Sequence, residues 1–334
     1  MGYDKQIISD LLRELESKRD ARERVLAERR QQVYARIPRV RQIDDTLRGT
    51  AASVLRAALE SGDDPTTAVE RLRDQNLALQ QERTRLLLDH GMPADFLEDK
   101  PDCPLCGDLG YVGAAPCKCL KRMYAARLTE QLSTTLPIAN QNFETFRLDY
   151  YSDKPDGRMG ISARENMEYN LDVCVEYAHH FHHESPNLLL FGSTGLGKTF
   201  LSTCIAGVVA SSGFSVAYDT AIHILGSYES VKFGGVDAAE AQRAIRKFEH
   251  ADLLILDDLG TELSTAFTTS VFYSLINTRL MTRRPMIINT NLQPNEFEKR
   301  YSAAIASRLL GDFTQLRFFG DDIRLQKKHE RSRS

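Results

Sequence analysis

Eight consecutive residues, Gly192-Ser193-Thr194-Gly195-Leu196-Gly197-Lys198-Thr199, have the types and spacing to hold a triphosphate. They fit G-x-x-x-x-G-K-[ST], in which glycines let the backbone curl until successive N–H groups converge on phosphate oxygens. Lys198 would reach the β- and γ-phosphates, and Thr199 would turn its hydroxyl to Mg²⁺. The flanks are those the motif requires. The apolar run 187–191 reads as a buried parallel strand, and 200–210 as a helix stopped by Ser211-Ser212-Gly213. Strand, loop and helix in that order bring a helix N-terminus to the anion as well. A chance glycine turn would carry neither flank, so the expected ligand is a nucleoside triphosphate with Mg²⁺.

A second constellation follows at a sensible interval. Leu253-Leu254-Ile255-Leu256-Asp257-Asp258 is an aliphatic strand ending in two acids, and ligands of open α/β sheets lie at that end of the strands. Asp257 would hold Mg²⁺, directly or through water, opposite Thr199. Asp258 would polarise the attacking water, with Glu262 as a second candidate for that task. The run Asn289-Thr290-Asn291-Leu292 puts amides at the tip of another strand. Asn291, nearer the tip than Asn289, is the candidate to sense the γ-phosphate; an asparagine capping the next turn is the plain alternative. Arg308, in Ser307-Arg308-Leu309, is either a solvated charge or a finger reaching a neighbouring subunit's γ-phosphate. Arg324, after Gly320-Asp321-Asp322-Ile323, could touch nucleotide of its own chain.

Cys103, Cys106, Cys117 and Cys119, with Gly107, Gly110 and Gly113 between them, form a zinc-knuckle-like arrangement in which four thiolates converge on one ion. Structural zinc is the leading reading; an iron–sulfur cluster or metal-free thiols are the others. A closed four-sulfur site has no open position and is assigned no catalysis. Cys174 and Cys204 fall in helical patterns and read as core thiols. The histidines at 179, 180, 182 and 183 lie at a helix end, where adjacent side chains point apart and make a poor metal site.

The elements that must position these residues fall into regions. Residues 1–100 read as helical, punctuated by Pro38 and broken at Ser61-Gly62-Asp63-Asp64-Pro65, with a further helix over 66–90. Such an arm either packs on itself or docks a partner. A cysteine module occupies 101–135, an irregular linker 136–160, and an α/β domain 161–325, followed by a basic disordered tail over 326–334. Within the α/β domain, strands are expected at 215–218, 253–256 and 286–290 besides the first, and helices at 221–231, 238–248, 265–282 and 296–310. Lys232-Phe233-Gly234-Gly235 makes a basic-aromatic turn suited to a nucleic-acid strand, or a plain loop. A net charge of −3 leaves no global attraction for nucleic acid, so DNA contact needs a local basic patch. No apolar stretch approaches the ~20 residues of a membrane span. The charged N-terminus lacks a secretory h-region, and six cysteines, four clustered, suit a reducing cytoplasm.

Taken together, 192–199, Leu256-Asp257-Asp258-Leu259-Gly260, Asn289-Thr290-Asn291-Leu292 and Ser307-Arg308-Leu309 resemble the AAA+ ATPases of the DnaC/DnaI helicase-loader group, a set that includes the transposition helper IstB. Val33-Tyr34-Ala35-Arg36-Ile37-Pro38, Ile43-Asp44-Asp45 and the cysteine cluster are similar to loader-type proteins of Gram-positive bacteria and their phages. The resemblance implies an AAA+ parallel sheet covered by helices, an N-terminal region that binds the hexameric replicative helicase, and self-association on ATP. It implies single-stranded DNA as the substrate onto which an opened ring is loaded. Lys198, Thr199, Asp257, Asp258 and Asn291 would act in cis and Arg308 in trans. Many members carry Glu where this chain has Asp258, and too little chain follows Leu310 for a full helical lid.

Overall fold

The computed structural model describes residues 4–60, 65–157, 159–235 and 237–331. They fall into two compact units, one of Ser9–Leu120 and one of Lys121 onward together with the residues up to Ile8.

In the first unit, α1 (Lys5–Arg36), α2 (Pro38–Glu60) and α3 (Pro65–Asp89) realise the expected helices. Pro38 opens α2, a position where its missing N–H costs nothing. Val33, Ile37, Val40, Leu87 and Leu97 bury a small core between the helices. Beside it, Asp44 accepts from Tyr34 Oη at 2.6 Å and pairs with Arg83 at 2.7 Å. The break expected at 61–64 lies outside the described residues. A two-residue hairpin, β1 (Tyr111–Val112) with β2 (Ala115–Pro116), carries the segment between the cysteine pairs. Then α4 (Lys118–Ser133) begins between the last two cysteines. The division between units falls within α4 rather than at residue 135.

The second unit is built on five parallel strands. Its elements run α5 (Ala163–His179), β3 (Asn187–Gly192), α6 (Lys198–Ser211), β4 (Val216–Thr220), α7 (Ala221–Phe233), α8 (Ala238–His250), β5 (Leu253–Leu259), α9 (Ala266–Met281) and β6 (Met286–Thr290). They continue through α10 (Phe297–Arg300), α11 (Ala303–Gly311), β7 (Phe313–Phe318) and α12 (Ile323–Arg331). The sheet order is β4-β5-β6-β3-β7, so the strand leading to the glycine loop lies between β6 and β7, and the acid-ended β5 is one strand removed. Because helices cover both faces, the central strands are apolar without alternation; Leu188, Leu189, Leu190, Leu254, Ile255, Ile287 and Ile288 are all buried.

Three features depart from the sequence expectation. Helix 296–310 is interrupted: α10 ends at Arg300, and Ser302, extended at φ −169°, caps α11 by accepting from Ile305 N–H. The strand β7 was not expected. Only Phe313, Leu316 and Phe318 of its six residues are buried, because it is a sheet edge and its burial does not alternate. The tail expected to be disordered from 326 instead continues helix α12 to Arg331; residues 332–334 lie outside the described set. No helix among the described residues is long and apolar enough to cross a membrane.

Edge strand and glycine loop meet at Gly192, whose φ is +143° and where a Cβ would overlap the Phe318 carbonyl. Gly192→Ala should therefore destabilise the second unit by ~2 kcal/mol, read as a Tm lower by roughly 5 °C. Gly226, inside α7 with nothing within 4 Å of a Cβ, is the contrast: Gly226→Ala should be neutral or raise Tm.

Candidate nucleotide-binding site

The loop closes over its own lysine. Gly197 takes φ +93° at the cap of α6, leaving Lys198 as the first helical residue. Lys198 Nζ, 6% exposed, donates to the carbonyls of Gly192 and Ser193, each at 2.7 Å, and to Asn291 Oδ1 at 2.8 Å. Burial lowers its pKa from 10.5 to about 8, against the attraction of Asp257 and Asp258. Thr199 donates to Asp257 Oδ1 at 3.3 Å.

Asp257 is reached because β5 runs parallel beside β4 and β6 and ends level with the loop. Pairing of β5 with β6 shifts register between Leu256 and Leu259, and Asp258 adopts φ +54° there. Bulges of this kind redirect a side chain at the end of a strand; here the ladder buries Asp257 and turns Asp258 outward into the pocket. Burial, then the charge of Asp257, raises the Asp258 pKa above the ordinary carboxylate value.

The loop residues from Thr194 to Thr199 floor a cavity of about 500 Å³. Its wall comes from the segment expected to be a mere linker. Two short turns, Phe143–Thr145 and Leu148–Tyr150, bring Phe146, Tyr150 and Tyr151 to the cavity. Phe146 stacks on Tyr151 with ring centres 5.9 Å apart and meets Phe200 at 5.5 Å, while Tyr151 Oη donates to the Leu196 carbonyl at 3.0 Å. From the other side, α12 contributes Arg324 and Lys327, the latter over the Tyr150 ring at 5.1 Å. The turn before α12 is tied to the loop by Ile323 N–H donating to Gly195 O at 3.1 Å.

Most residues named from sequence converge, with two exceptions. Glu262 does not line the cavity. Its buried carboxylate accepts from Gly260 N–H at 2.9 Å and Tyr301 Oη at 2.5 Å, which corrects its candidacy as the water-polarising acid. Arg308 also lies outside the cavity, with its guanidinium 5.2 Å from the Tyr273 ring centre and donating to that hydroxyl at 3.3 Å. The two strand-tip asparagines divide the site: Asn291 meets Lys198, and Asn289 Nδ2 donates to Asp257 Oδ1 at 3.0 Å and to Ser202 Oγ at 2.8 Å. Sequence reasoning missed the aromatic wall, although four aromatics within 143–151 were a signal. It also missed Tyr218, which donates to Asp257 Oδ2 at 2.6 Å and belongs to no motif.

In the other unit, the four sulfurs of Cys103, Cys106, Cys117 and Cys119 lie within 4.8 Å of one another. Tetrahedral zinc with ~2.3 Å bonds needs sulfurs about 3.8 Å apart, and the pairs Cys103–Cys117 and Cys106–Cys119 stand at 3.7 and 3.4 Å. Hydrogen bonding from Cys106 N–H, against burial, brings the Cys103 thiol down to about 7. Asp108, buried at φ +62°, fixes the first turn by accepting from Cys103 N–H at 2.8 Å and Asp102 N–H at 3.0 Å, and it pairs with Arg22 of α1. The donor set fits a structural thiophilic ion.

A glycine loop between strand and helix, its lysine and hydroxyl, and an acid-ended strand one place removed define the second unit as a P-loop nucleotide-binding domain. Residues 175–331 match the family described as IstB-like ATP binding protein. An insertion-sequence ATP-binding protein of Mycobacterium tuberculosis is 28% identical over 153 residues, which are 44% of this chain and 59% of that protein. The IS21 ATP-binding protein of Pseudomonas aeruginosa is 24% identical over 155 residues, 45% of this chain and 57% of that one. The match thus spans somewhat more than half the length of these relatives. Among solved structures, the DnaC helicase loader aligns at 18% identity with a TM-score of 0.45, over 55% of this chain and 99% of that one. The family match starts inside α5, leaving the cysteine module and the aromatic wall outside it.

Lys198 is cationic below about pH 8, and a bound triphosphate favours the cation. ATP affinity should therefore be full near pH 7 and fall as pH rises through 8, by at most about tenfold per unit. Calorimetry at pH 8.5 in buffers of different ionisation enthalpy should detect proton uptake on binding. A flat affinity profile from pH 7 to 9 would refute the lowered pKa.

Proposed function

We propose that this protein is an Mg²⁺-dependent ATPase that loads a hexameric replicative helicase onto single-stranded DNA. The observation that carries the ATPase reading is two adjacent hydrogen-bonded pairs, Asn291–Lys198 and Thr199–Asp257, with Lys198, Thr199 and Asn291 lining one aromatic-walled cavity. The adenine ring takes the wall of Phe146, Tyr150 and Tyr151, and the phosphates lie on the loop amides. Lys198 exchanges its carbonyl partners for phosphate oxygens. Thr199 passes its proton toward Asp257 and keeps its lone pairs for the metal side. Thr199 and Asp257 would hold Mg²⁺, which would supply neutralisation of phosphate charge. Asp258, more basic than an ordinary carboxylate, orients and deprotonates water, while Asn291 reports the γ-phosphate to Lys198. Arg324 and Lys327 add positive charge from α12.

Arg308 serves a neighbouring copy, since it is outside the cavity of its own chain and lies beside the exposed Tyr273. ATP would then hold subunits side by side. The helical first unit, outside the family match, docks the helicase. For DNA, Lys232 lies 4.4 Å from the Phe267 ring centre beside Phe233, which is 73% exposed, a cation-and-stacking surface suited to unpaired bases. A second reading, a helper ATPase of an insertion sequence, is favoured by the two relatives named above. Capture of the replicative helicase by the full chain, dependent on ATP and lost without residues 1–120, supports the loader; capture of a cognate transposase instead supports the helper.

Single-stranded DNA should raise ATP turnover, and Phe233→Ala should weaken its binding roughly 5- to 100-fold, the value of one stacked base. Arg308→Ala should leave ATP binding intact and lower turnover about 10³-fold or more. A silent Arg308→Ala at concentrations where subunits associate removes the finger role.

Zinc in the cysteine site holds the first unit together and takes no part in turnover. Metal analysis should find about one zinc per chain. Cys106→Ser should release it and lower the melting temperature of that unit while ATP binding persists. Four freely titratable thiols in metal-free protein would end the assignment.

A further inference from the structure

Tyr218 lies outside every motif of the site, yet its hydroxyl makes the shortest of the hydrogen bonds to Asp257, at 2.6 Å to Oδ2. The other oxygen, Oδ1, accepts from Asp258 N–H at 2.9 Å, Asn289 Nδ2 at 3.0 Å and Thr199 Oγ at 3.3 Å. A carboxylate offers about four lone-pair sites. Four donors therefore occupy this one, and the residue is 2% exposed. The strand register makes the contact possible: Tyr218 of β4 stands opposite Ile255 of β5, and Asp257, two residues on, shares that face.

We propose that Tyr218 is a positioning residue of the magnesium site. It locks the Asp257 carboxylate in the orientation that accepts the Thr199 hydroxyl. The inference rests on the reading that Mg²⁺–nucleotide is held at this loop.

Oδ1 is gripped by three donors from three elements, whereas Oδ2 has Tyr218 alone. Without that hydroxyl, Oδ2 is bare beside Asp258, and the carboxylate is free to swing toward any cation that enters. Its hold on the Thr199 proton, which leaves the threonine lone pairs directed to the metal, then weakens.

The test is Tyr218→Phe in the full chain, with two titrations. The first follows binding of a non-hydrolysable ATP analogue in EDTA and against Mg²⁺ concentration. The second follows ATP turnover against Mg²⁺. Tyr218→Phe should bind nucleotide in EDTA as wild type does. The Mg²⁺ concentration that half-saturates the metal-dependent gain in affinity should rise roughly tenfold to a hundredfold, the range of a hydrogen bond to a charged group. Saturating Mg²⁺ should restore most of the turnover, a recovery that Asp257→Ala should not show. A Mg²⁺ profile matching wild type overturns the proposal. So does loss of binding in EDTA, which would make Tyr218 a scaffold of the cavity, and so does a wild-type protein whose nucleotide affinity ignores Mg²⁺. Wild-type protein that binds Mg²⁺–nucleotide without turning it over sinks the ATPase reading instead, and the binding titration still decides the role of Tyr218.

Discussion

The hydrogen bond from Thr199 to Asp257 joins the first turn of α6 to the end of β5, across a strand that lies between them in the sheet. Much of the site depends on that span. A hydroxyl offered to a metal needs its proton taken elsewhere, and a buried carboxylate needs donors to offset the cost of desolvation. Each requirement meets the other. Asn289, on the intervening β6, donates to Asp257 and to Ser202 of α6, and so ties all three elements at one level.

The same edge of the sheet explains why loop and lysine are pre-shaped. Phosphate-binding N–H groups must face outward together, which forces carbonyls inward, and Lys198 takes two of those carbonyls. Asn291 completes its coordination. Gly192 lets β7 approach closely enough to extend the sheet beyond β3, and β7 in turn delivers α12 to the cavity. A short helix at this end of the domain, reached through that strand, thus forms part of the cavity wall.

The two units carry different chemistry. In the nucleotide-binding domain, burial lowers the proton affinity of Lys198 and raises that of Asp258. In the cysteine module, Asp108 fixes the turn that brings Cys103 beside the other three sulfurs.

Local order in the chain made part of this legible. The phosphate loop, its strand and its helix are contiguous, so residue spacing alone specifies how N–H groups, Lys198 and Thr199 converge. The acid-ended strand and the cysteine pairs were readable for the same reason, as was β6, whose expected span matches the observed Met286–Thr290. What lay beyond reach depends on neighbours distant in sequence. Glu262 reads as an acid one turn beyond Asp258, but only the fold brings Tyr301 and Gly260 to claim it. Asn289 and Asn291 are two residues apart on one strand, and their separate partners follow from sheet register and the strand's end. The 136–160 segment looks like a linker until its aromatics are set against Phe200. Tyr218 gains its role solely because β4 pairs with β5 in one particular register. Periodicity tells which face of an element is apolar; which polar atoms then meet is decided by packing.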